Sequence, residues 1–299
     1  MAKANKPYEP TAVDFEILQL VKAFHFLTVN QIMRLRGLSK NSLSTEQPRL
    51  KKLADNEYLD RRKLPYTTSG NKEFVYSLAT HGVNYLKDAG LIDSSRFRRD
   101  ILLNVKFPHL DHALALNNFL IAASLLEKAV PYISLVETRH DLDLKKTPVR
   151  VTVERRMPYG DRIDEKITVI PDGWLDFRMP VLDLRKCIVV ELDRGTTSIA
   201  PFKEKLRALY GYAVSLEYQE LFGTDLCVVA YATTAGTQRL QQMIEWCEQE
   251  LEQQRLEHEA ILYRFTSIPD GELDPKRVFC DEVWYKPFES EPVSLLWNV

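Results

Sequence analysis

Apolar side chains recur at helical spacing through the first part of the chain. From Val13 onwards they return every three or four residues, with Thr11 in position to cap the start of a first helix. A second, shorter helix opens at the cap candidate Thr28 and stops at Gly37, and the spacing that follows predicts a third helix over about residues 42–56. Three short helices in succession indicate a helix-turn-helix module.

The pattern changes to strand character after the third helix. A strand near Arg61, a turn at residues 69–71 and a returning strand over Phe74–Leu78 predict a β-hairpin, and a helix over Thr80–Leu86 closes the module. This is the order of a winged helix-turn-helix, which we place at residues 11–92, with the third helix in the major groove and the hairpin along the DNA backbone. Winged helices also serve as protein-interaction modules, which is the alternative. The residues expected to contact DNA are Lys40, Asn41, Ser42, Arg49, Lys51, Lys52, Arg61, Arg62 and Lys63.

The remainder of the chain predicts a second domain. A polar, basic segment containing Pro108 suggests a linker over residues 93–110, followed by a domain over residues 111–299. That domain opens with a helical run, continues with four β-rich runs that we expect to be consecutive strands of one sheet, and then alternates strands and helices. One more strand is predicted in RVFCDEVWYKP, after Pro269. The chain therefore belongs to the α+β or α/β class, with a mixed sheet covered by helices.

The two predicted domains have net charges of opposite sign. Residues 1–106 carry 18 Lys and Arg against 11 Asp and Glu, a net charge of +7, whereas the rest of the chain has a net charge of −9. A basic unit suits a polyanion such as double-stranded DNA. No apolar run approaches the roughly 20 residues of a membrane helix, and no secretory signal is recognisable, so we expect a cytoplasmic protein without a membrane partner.

Three carboxylates lie at the ends of apolar runs. In CIVVELDRG the strand period places Glu191 and Asp193 on one face, and Asp172 follows an earlier run in IPDGW. Burying an ionised carboxylate is costly unless it is paired or coordinates a metal. We therefore predict that the three carboxylates form a site for Mg²⁺ or Mn²⁺. The alternatives are that PDG is an ordinary turn and that Asp193 caps the next helix or pairs with Arg194.

These motifs resemble those of the PD-(D/E)xK nuclease superfamily, with Pro171-Asp172 as the first motif and Glu191-Leu192-Asp193 as the second. The resemblance implies a nuclease-like α/β domain with a metal-dependent site. The second motif normally ends in lysine, whereas this chain has Asp193 there. Members of the superfamily are known to relocate the lysine to the next helix. The residues implied as catalytic are Asp172, Glu191, Asp193, Lys203 and Lys205.

A second resemblance covers nearly the whole chain. It rests on the winged helix, the helix HALALN that begins at His112, the PDG and ELDRGT motifs, and the K-x-K-x-x-x-x-Y helix that begins at Lys203. Together they are similar to the replication-relaxation family, which is encoded mainly on bacterial plasmids and integrative elements and is associated with plasmid replication and mobilisation. This implies a DNA-handling role in a bacterial cytoplasm. The residues carried over are Asp172, Glu191, Asp193, Arg194, Gly195, Thr196, Lys205 and Tyr210.

Two functional hypotheses follow. The first is a DNA-binding protein of a plasmid or integrative element, acting in replication or conjugative mobilisation, that nicks or processes DNA as a metal-dependent endonuclease. The second is a non-catalytic accessory protein or transcriptional regulator that uses a degenerate nuclease fold to dimerise or to recruit a relaxase or replication initiator. The aspartate at position 193 favours the second. A long Gln- and Glu-rich helix predicted over Thr237–Glu259 could pair two copies in a homodimer, and a solvated surface helix is the default alternative.

Overall fold

The computed structural model describes residues 8–64, 73–92, 104–156, 159, 162–225 and 227–297. The chain divides into two compact units, Met1–Asn117 and Asn118–Val299. The turn predicted at residues 69–71 and residues 93–103 of the predicted linker lie outside the described residues. Within the described ranges, every helix is too short or too polar to cross a bilayer.

The first unit contains three helices, a hairpin and a closing helix, in the order that the sequence predicts. Its strands pair antiparallel in the order β1-β3-β2. Thr11 and Thr28 cap the first two helices, each within a reciprocal capping box that satisfies helix-end amides. The elements are α1 (Ala12–Phe24), β1 (Leu27–Thr28), α2 (Val29–Leu35), a 3₁₀ turn (Lys40–Ser42), α3 (Leu43–Asp55), β2 (Leu59–Lys63), β3 (Phe74–Leu78) and α4 (Thr80–Asp88).

The core of the first unit comes from the predicted helical spacing. Ile17 and Leu18 of α1, Ile32 of α2, and Leu50 and Leu53 of α3 are fully buried. Residues three or four apart on a helix lie on one face, so a few positions per helix are enough to close this small core. The same packing leaves the opposite face of α3 exposed.

The second unit is built on a five-stranded sheet and its covering helices. The helix that leads into it, α5, begins at Phe107, inside the segment expected to be a linker, and crosses the boundary between the units. The elements are α5 (Phe107–Ala129), β4 (Ser134–His140), α6 (Asp141–Leu144), β5 (Val149–Arg156), β6 (Arg162–Val169), β7 (Gly173–Met179), β8 (Leu184–Asp193), α7 (Ile199–Ala213), α8 (Leu216–Phe222), β9 (Val228–Thr233), α9 (Thr237–Gln254), β10 (Tyr263–Ser267) and α10 (Pro275–Phe279).

The sheet is mixed, and its strand order is β10-β9-β8-β7-β4. Strands β8, β9 and β10 run parallel, whereas β7 pairs antiparallel with both β8 and β4. The prediction that four β-rich runs are consecutive strands of one sheet is wrong, because β5 and β6 form a separate two-stranded sheet. The apolar side chains of β5 pack against α7, where Val153 lies close to Gly211, so the hairpin covers a helix rather than extending the main sheet. The whole chain is a mixed α+β structure.

The tail also differs from its predicted form. The segment RVFCDEVWYKP was expected to be a strand, but its beginning belongs to the helix α10. Asp274 accepts a hydrogen bond from the amide of Arg277 at 2.8 Å, and Pro275 occupies the first helical position, which together favour a helix start. Only single bridges, from Tyr285 to Phe265 and from Trp284 to Val293, have strand character in this described part of the tail.

Candidate functional site

Two of the three predicted carboxylates meet a lysine on one side of the main sheet. Asp172 lies in the connection before β7, Glu191 lies on β8, and Lys205 lies on α7. The Lys205 ammonium contacts Glu191 Oε2 and lies 3.7 Å from Asp172 Oδ1. The helix after the second motif therefore brings a lysine to the two acids. Of the two candidates, Lys205 is the one that reaches them.

Strand pairing brings the two acids together. Gly173 pairs with Val190 in the antiparallel register of β7 and β8, so the preceding residue Asp172 lies beside Glu191. The backbone amide of Leu192 donates to Asp172 Oδ2 at 2.8 Å. This hydrogen bond fixes the Asp172 carboxylate against β8. Asp172 therefore contacts the neighbouring strand and is not only part of a local PDG turn.

The charge state of this cluster is set by its neighbours. Burial opposes the charge on Lys205, but the Asp172 and Glu191 carboxylates raise its pKa above the ordinary value. Glu191 is 3% exposed, whereas the Lys205 side chain is 41% exposed. The cluster is thus a nearly buried acid pair beneath a cation that reaches solvent.

The acid pair provides hard oxygen donors. Asp172 and Glu191 are the side chains that would hold Mg²⁺ or Mn²⁺, which prefer carboxylate oxygens and complete their coordination with water or phosphate oxygens. Among the described residues, no group of three His, Cys, Asp or Glu side chains is arranged to hold a metal ion. A metal at this position would therefore depend on the acid pair and on oxygens from solvent or substrate.

Asp193 does not join this cluster, so the prediction of a site with three carboxylates is not fulfilled. It lies on the same face of β8 as Glu191, as the strand period requires, but Arg239 of α9 donates to both of its oxygens at 2.9 Å. Thr233 and the amide of Gly195 donate to Asp193 Oδ2, also at 2.9 Å each. Burial opposes the charge on Asp193, but these donors lower its pKa. Arg194, the alternative partner for Asp193, contacts Asp270 at 2.8 Å.

Lys203, the other candidate lysine, points to a different neighbour. Its ammonium lies 3.3 Å from Gln249 Oε1 and 3.9 Å from Glu250 Oε2, both on α9. Lys203 and Lys205 are two residues apart on α7, so they project from the helix at different angles. Lys203 is therefore a suitable control for substitutions of Lys205. It carries the same charge on the same helix but does not contact the acid pair.

Most predicted DNA-contacting residues are on the surface of the first unit. Ser42 is half-buried at the start of α3. Lys52 lies over the ring of Tyr8, at 4.4 Å from the ring centroid. The exposed members of the set are Lys40, Asn41, Lys51, Lys52, Arg61, Arg62 and Lys63.

Three arginines in the predicted DNA-binding set also make contacts within the unit. Arg49 donates to the fully buried Asp14 at 3.0 Å, so it serves the fold as well as the surface. Arg61 lies 3.7 Å from Asp55, and Arg62 donates to the carbonyl of Val105. The lysines of α3 and of the hairpin are therefore the more accessible charges for DNA.

Sequence reasoning missed two residues at the edge of the site. Arg239, the partner of Asp193, lies in an amphipathic helix 46 positions further along the chain, and no local spacing connects the two. Tyr231 pairs with Glu191 in the register of β8 and β9, and its buried hydroxyl has no hydrogen-bond partner among the described residues. Burial and the nearby Glu191 raise the pKa of Tyr231 well above its usual value. In the sequence, Tyr231 follows the pattern of an ordinary apolar strand residue.

The profile of the replication-relaxation family matches residues 18–224, which is more than half of the chain. The chain belongs to the replication-relaxation family. No curated protein and no solved structure matches it.

The replication-relaxation match includes the acid pair and its lysine. Asp172, Glu191 and Lys205 all fall within the matched residues, together with most of the first unit. Arg239 and β10 lie beyond the match. Membership of this family supports a role related to replication or mobilisation.

Proposed function

We propose that this protein binds double-stranded DNA through its first unit and breaks a phosphodiester bond at a metal-dependent site formed by Asp172, Glu191 and Lys205. The position of Lys205 carries the proposal, because its ammonium contacts Glu191 and lies 3.7 Å from Asp172. A PD-(D/E)xK site needs a cation beside its acid pair, and Asp193 stands where the strand would supply it. Lys205 supplies that cation from α7.

Each residue has a defined task in this proposal. Asp172 and Glu191 would hold Mg²⁺ or Mn²⁺, which supplies Lewis acidity to the scissile phosphate. Lys205 stays protonated at neutral pH because the two carboxylates raise its pKa. It would therefore stabilise negative charge developing on the phosphate rather than accept a proton from the attacking water. The hydrogen bond from the Leu192 amide holds the Asp172 carboxylate against β8.

The first unit supports the DNA-binding part of the proposal. Exposed lysines lie on α3 and on the hairpin, and residues 1–106 have a net charge of +7. Neutralising phosphates with such side chains releases counterions, so affinity for duplex DNA should fall as salt rises. Double-stranded DNA is the partner that fits this charge, and we propose that it belongs to a plasmid or integrative element. A relaxase or replication initiator is the proposed protein partner in mobilisation.

A non-catalytic accessory role is the second candidate, and Asp193 favours it. The strand position that carries lysine in PD-(D/E)xK nucleases is here an aspartate engaged in a buried ion pair with Arg239. In this alternative, Lys205 neutralises the acid pair as part of the fold, and the second unit serves to dimerise or to recruit a partner. The two candidates differ in what the acid pair and Lys205 contribute to DNA cleavage.

The test is a cleavage assay on the full chain. Supercoiled plasmid, branched duplex and single-stranded DNA are incubated with Mg²⁺ or Mn²⁺, and nicked or linear products are quantified. We expect cleavage by the unaltered chain and a loss of at least about 100-fold in Asp172→Asn, Glu191→Gln and Lys205→Met, the size of effect seen when one charge-stabilising group is removed. Lys203→Met is the matched control and should retain activity.

Binding assays separate the two candidates. If the unaltered chain binds duplex DNA but cuts none of the three substrates in either metal, the accessory role replaces the nuclease. If Lys203→Met loses as much activity as Lys205→Met, the assignment of Lys205 to the site is wrong. Each variant is compared with the unaltered chain for its thermal unfolding, so that loss of cleavage is not attributed to loss of the fold.

A further inference from the structure

A shallow groove on the first unit has an aromatic floor and an acidic rim. It lies where the end of α3 and the turn after it meet α4, and its volume is about 460 Å³. All of its lining residues belong to the first unit, and none of them belongs to the predicted DNA-binding set. The lining residues are Tyr8, Asp55, Asn56, Glu57, Tyr58, His81, Asn84, Tyr85 and Asp88.

The floor is a cluster of rings around Tyr58. The centroids of Tyr8, His81 and Tyr85 lie 6.0, 5.9 and 6.0 Å from that of Tyr58, all in edge-to-face arrangements. Edge-to-face packing leaves some ring faces open, and such faces attract cations through their quadrupoles. Lys52 already lies over Tyr8, at 4.4 Å from the ring centroid. The chain's own lysine thus shows that a ring of this cluster accepts a cation.

The rim adds negative charge. Asp55, Glu57 and Asp88 are exposed around the groove. Asp55 pairs with Arg61 at 3.7 Å, and His81 lies 4.0 Å from Glu57. Three carboxylates on a unit whose charge is otherwise positive repel nucleic acid phosphates and attract a cationic group. The groove is therefore unsuited to DNA.

The groove is held in shape by the backbone beneath it. Glu57 has a φ of 58°, a left-handed conformation that is strained for a residue with a side chain. Its carbonyl accepts the amide of His81 at 3.0 Å. At Gly82, an added Cβ would lie 2.1 Å from the carbonyl oxygen of Tyr58, so α4 and the turn are in direct contact. These contacts hold α4 against the turn that carries Tyr58.

We propose that this groove binds an arginine side chain presented by a partner protein. A guanidinium is planar, so it stacks on tyrosine rings while its fork of N–H groups donates to carboxylates, and its charge is complementary to the rim. Asp55, Glu57 and Asp88 supply acceptors around the floor formed by Tyr58 and Tyr85. The interaction recruits a protein through a groove whose own lining residues lie outside the predicted DNA-binding set, although Lys52 and Arg61 of that set border it.

The experiment titrates the full chain into a fluorescein-labelled peptide, Gly-Ala-Arg-Ala-Gly, and follows anisotropy. A peptide in which citrulline replaces arginine is the matched probe, because citrulline keeps the shape and loses the charge. We expect the arginine peptide to bind at least about tenfold more tightly than the citrulline peptide. Equal binding of the two peptides, or no binding of either, overturns the proposal.

Variants locate the binding. Tyr85→Ala should weaken the arginine peptide about tenfold and Asp88→Asn about threefold. Asp164→Asn, an exposed acid on β6, is the matched control and should change nothing. Asp88 is exposed, so its substitution tests the groove without endangering the fold. Unchanged binding in Asp88→Asn and Tyr85→Ala places the peptide elsewhere and overturns the proposal, as does a concentration-dependent dimer, measured by sedimentation velocity, that Asp88→Asn abolishes.

Discussion

Arg239 donates to both carboxylate oxygens of Asp193, across 46 positions of sequence, and each side chain is less than a tenth exposed. The pair ties the end of β8 to α9. Arg239 also donates to the carbonyl of Thr197 at 2.7 Å, so the same guanidinium holds the loop that leads into α7. Because Lys205 projects from α7, this ion pair supports the helix that carries the candidate catalytic lysine.

Removing one partner of this pair should destabilise the second unit strongly. Arg239→Met leaves the Asp193 carboxylate buried without its counter-charge, and we expect a loss of about 3–5 kcal/mol in the free energy of unfolding. Arg239→Met combined with Asp193→Leu should lose less than the sum of the two single changes, because neither charge is then left alone. Urea unfolding followed by circular dichroism measures the cycle. Additive losses would contradict a direct coupling.

Arg49 and Lys51 should separate stability from DNA binding. Arg49 is 34% exposed and donates to Asp14, which is fully buried, whereas Lys51 is exposed on the same helix. Arg49→Ala should lower the free energy of unfolding by about 1–2 kcal/mol, discounted for the partial exposure of Arg49.

Lys51→Ala should leave stability unchanged and weaken duplex DNA binding. Loss of one phosphate contact should reduce the slope of log affinity against log salt by about 1. Thermal unfolding and fluorescence anisotropy at several salt concentrations measure the two effects. If Lys51→Ala binds DNA like the unaltered chain at every salt concentration, α3 does not contact the phosphates through this residue.

Local pattern was enough to predict much of this structure. Helical spacing and the caps Thr11 and Thr28 predicted α1 and α2, and the strand period correctly placed Glu191 and Asp193 on one face of β8. Local pattern could not assign their partners. Lys205 and Arg239 reach them from two different helices, so the face was predictable, but the division into an acid pair and a separate ion pair depended on tertiary packing.

The same limit explains the wrong assignment of β5 and β6. Alternation in VRVTVERR and RIDEKITV indicates strands with one apolar face but does not identify what that face packs against. In the structure it packs on α7, because Gly211 lets the helix approach Val151 and Val153 closely. The helix α10 was missed for a different reason: its start signal, Asp274-Pro275, stands before a run whose residues favour strands.

Lys186 should destabilise the fold at neutral pH. Burial lowers the pKa of Lys186 to about 8, with Arg264 and Lys286 adding like charge. The unfolded chain has a lysine pKa of about 10.4, so the folded state loses its proton first and stability rises as pH increases from about 8 to about 10.4. Lys186→Met should therefore be more stable than the unaltered chain by about 1 kcal/mol at pH 7, with the advantage shrinking by pH 10.

Urea unfolding at pH 7 and pH 10 checks this pH dependence. Lys166→Met, at an exposed position on β6, is the control and should show no comparable gain at either pH. A Lys186→Met advantage that is equal at both pH values would mean that the gain comes from packing of the methionine rather than from removal of a buried charge.

Substitutions at Gly211 and Val153 should partly compensate for each other in stability. A Cβ added at Gly211 would lie 2.7 Å from Val153 Cγ2 and 3.2 Å from Val151 Cγ2. Alanine favours a helix over glycine by up to about 1 kcal/mol, but valine is stiff about χ1 and cannot turn its methyl groups away cheaply. We expect Gly211→Ala to destabilise the second unit by about 1–2 kcal/mol net, from overpacking.

Removing the methyl groups of Val153 should relieve the overpacking that Gly211→Ala causes. Val153→Ala alone opens a small cavity and should cost about 1–2 kcal/mol, whereas Gly211→Ala with Val153→Ala places the new methyl group in the vacated space. The double variant should thus be more stable than the sum of the single losses by at least about 1 kcal/mol. Thermal and urea unfolding of the four proteins measure this coupling. A coupling near zero would mean that β5 moves away from α7 to accommodate the methyl group, and that the hairpin is only loosely held on the helix that carries Lys205.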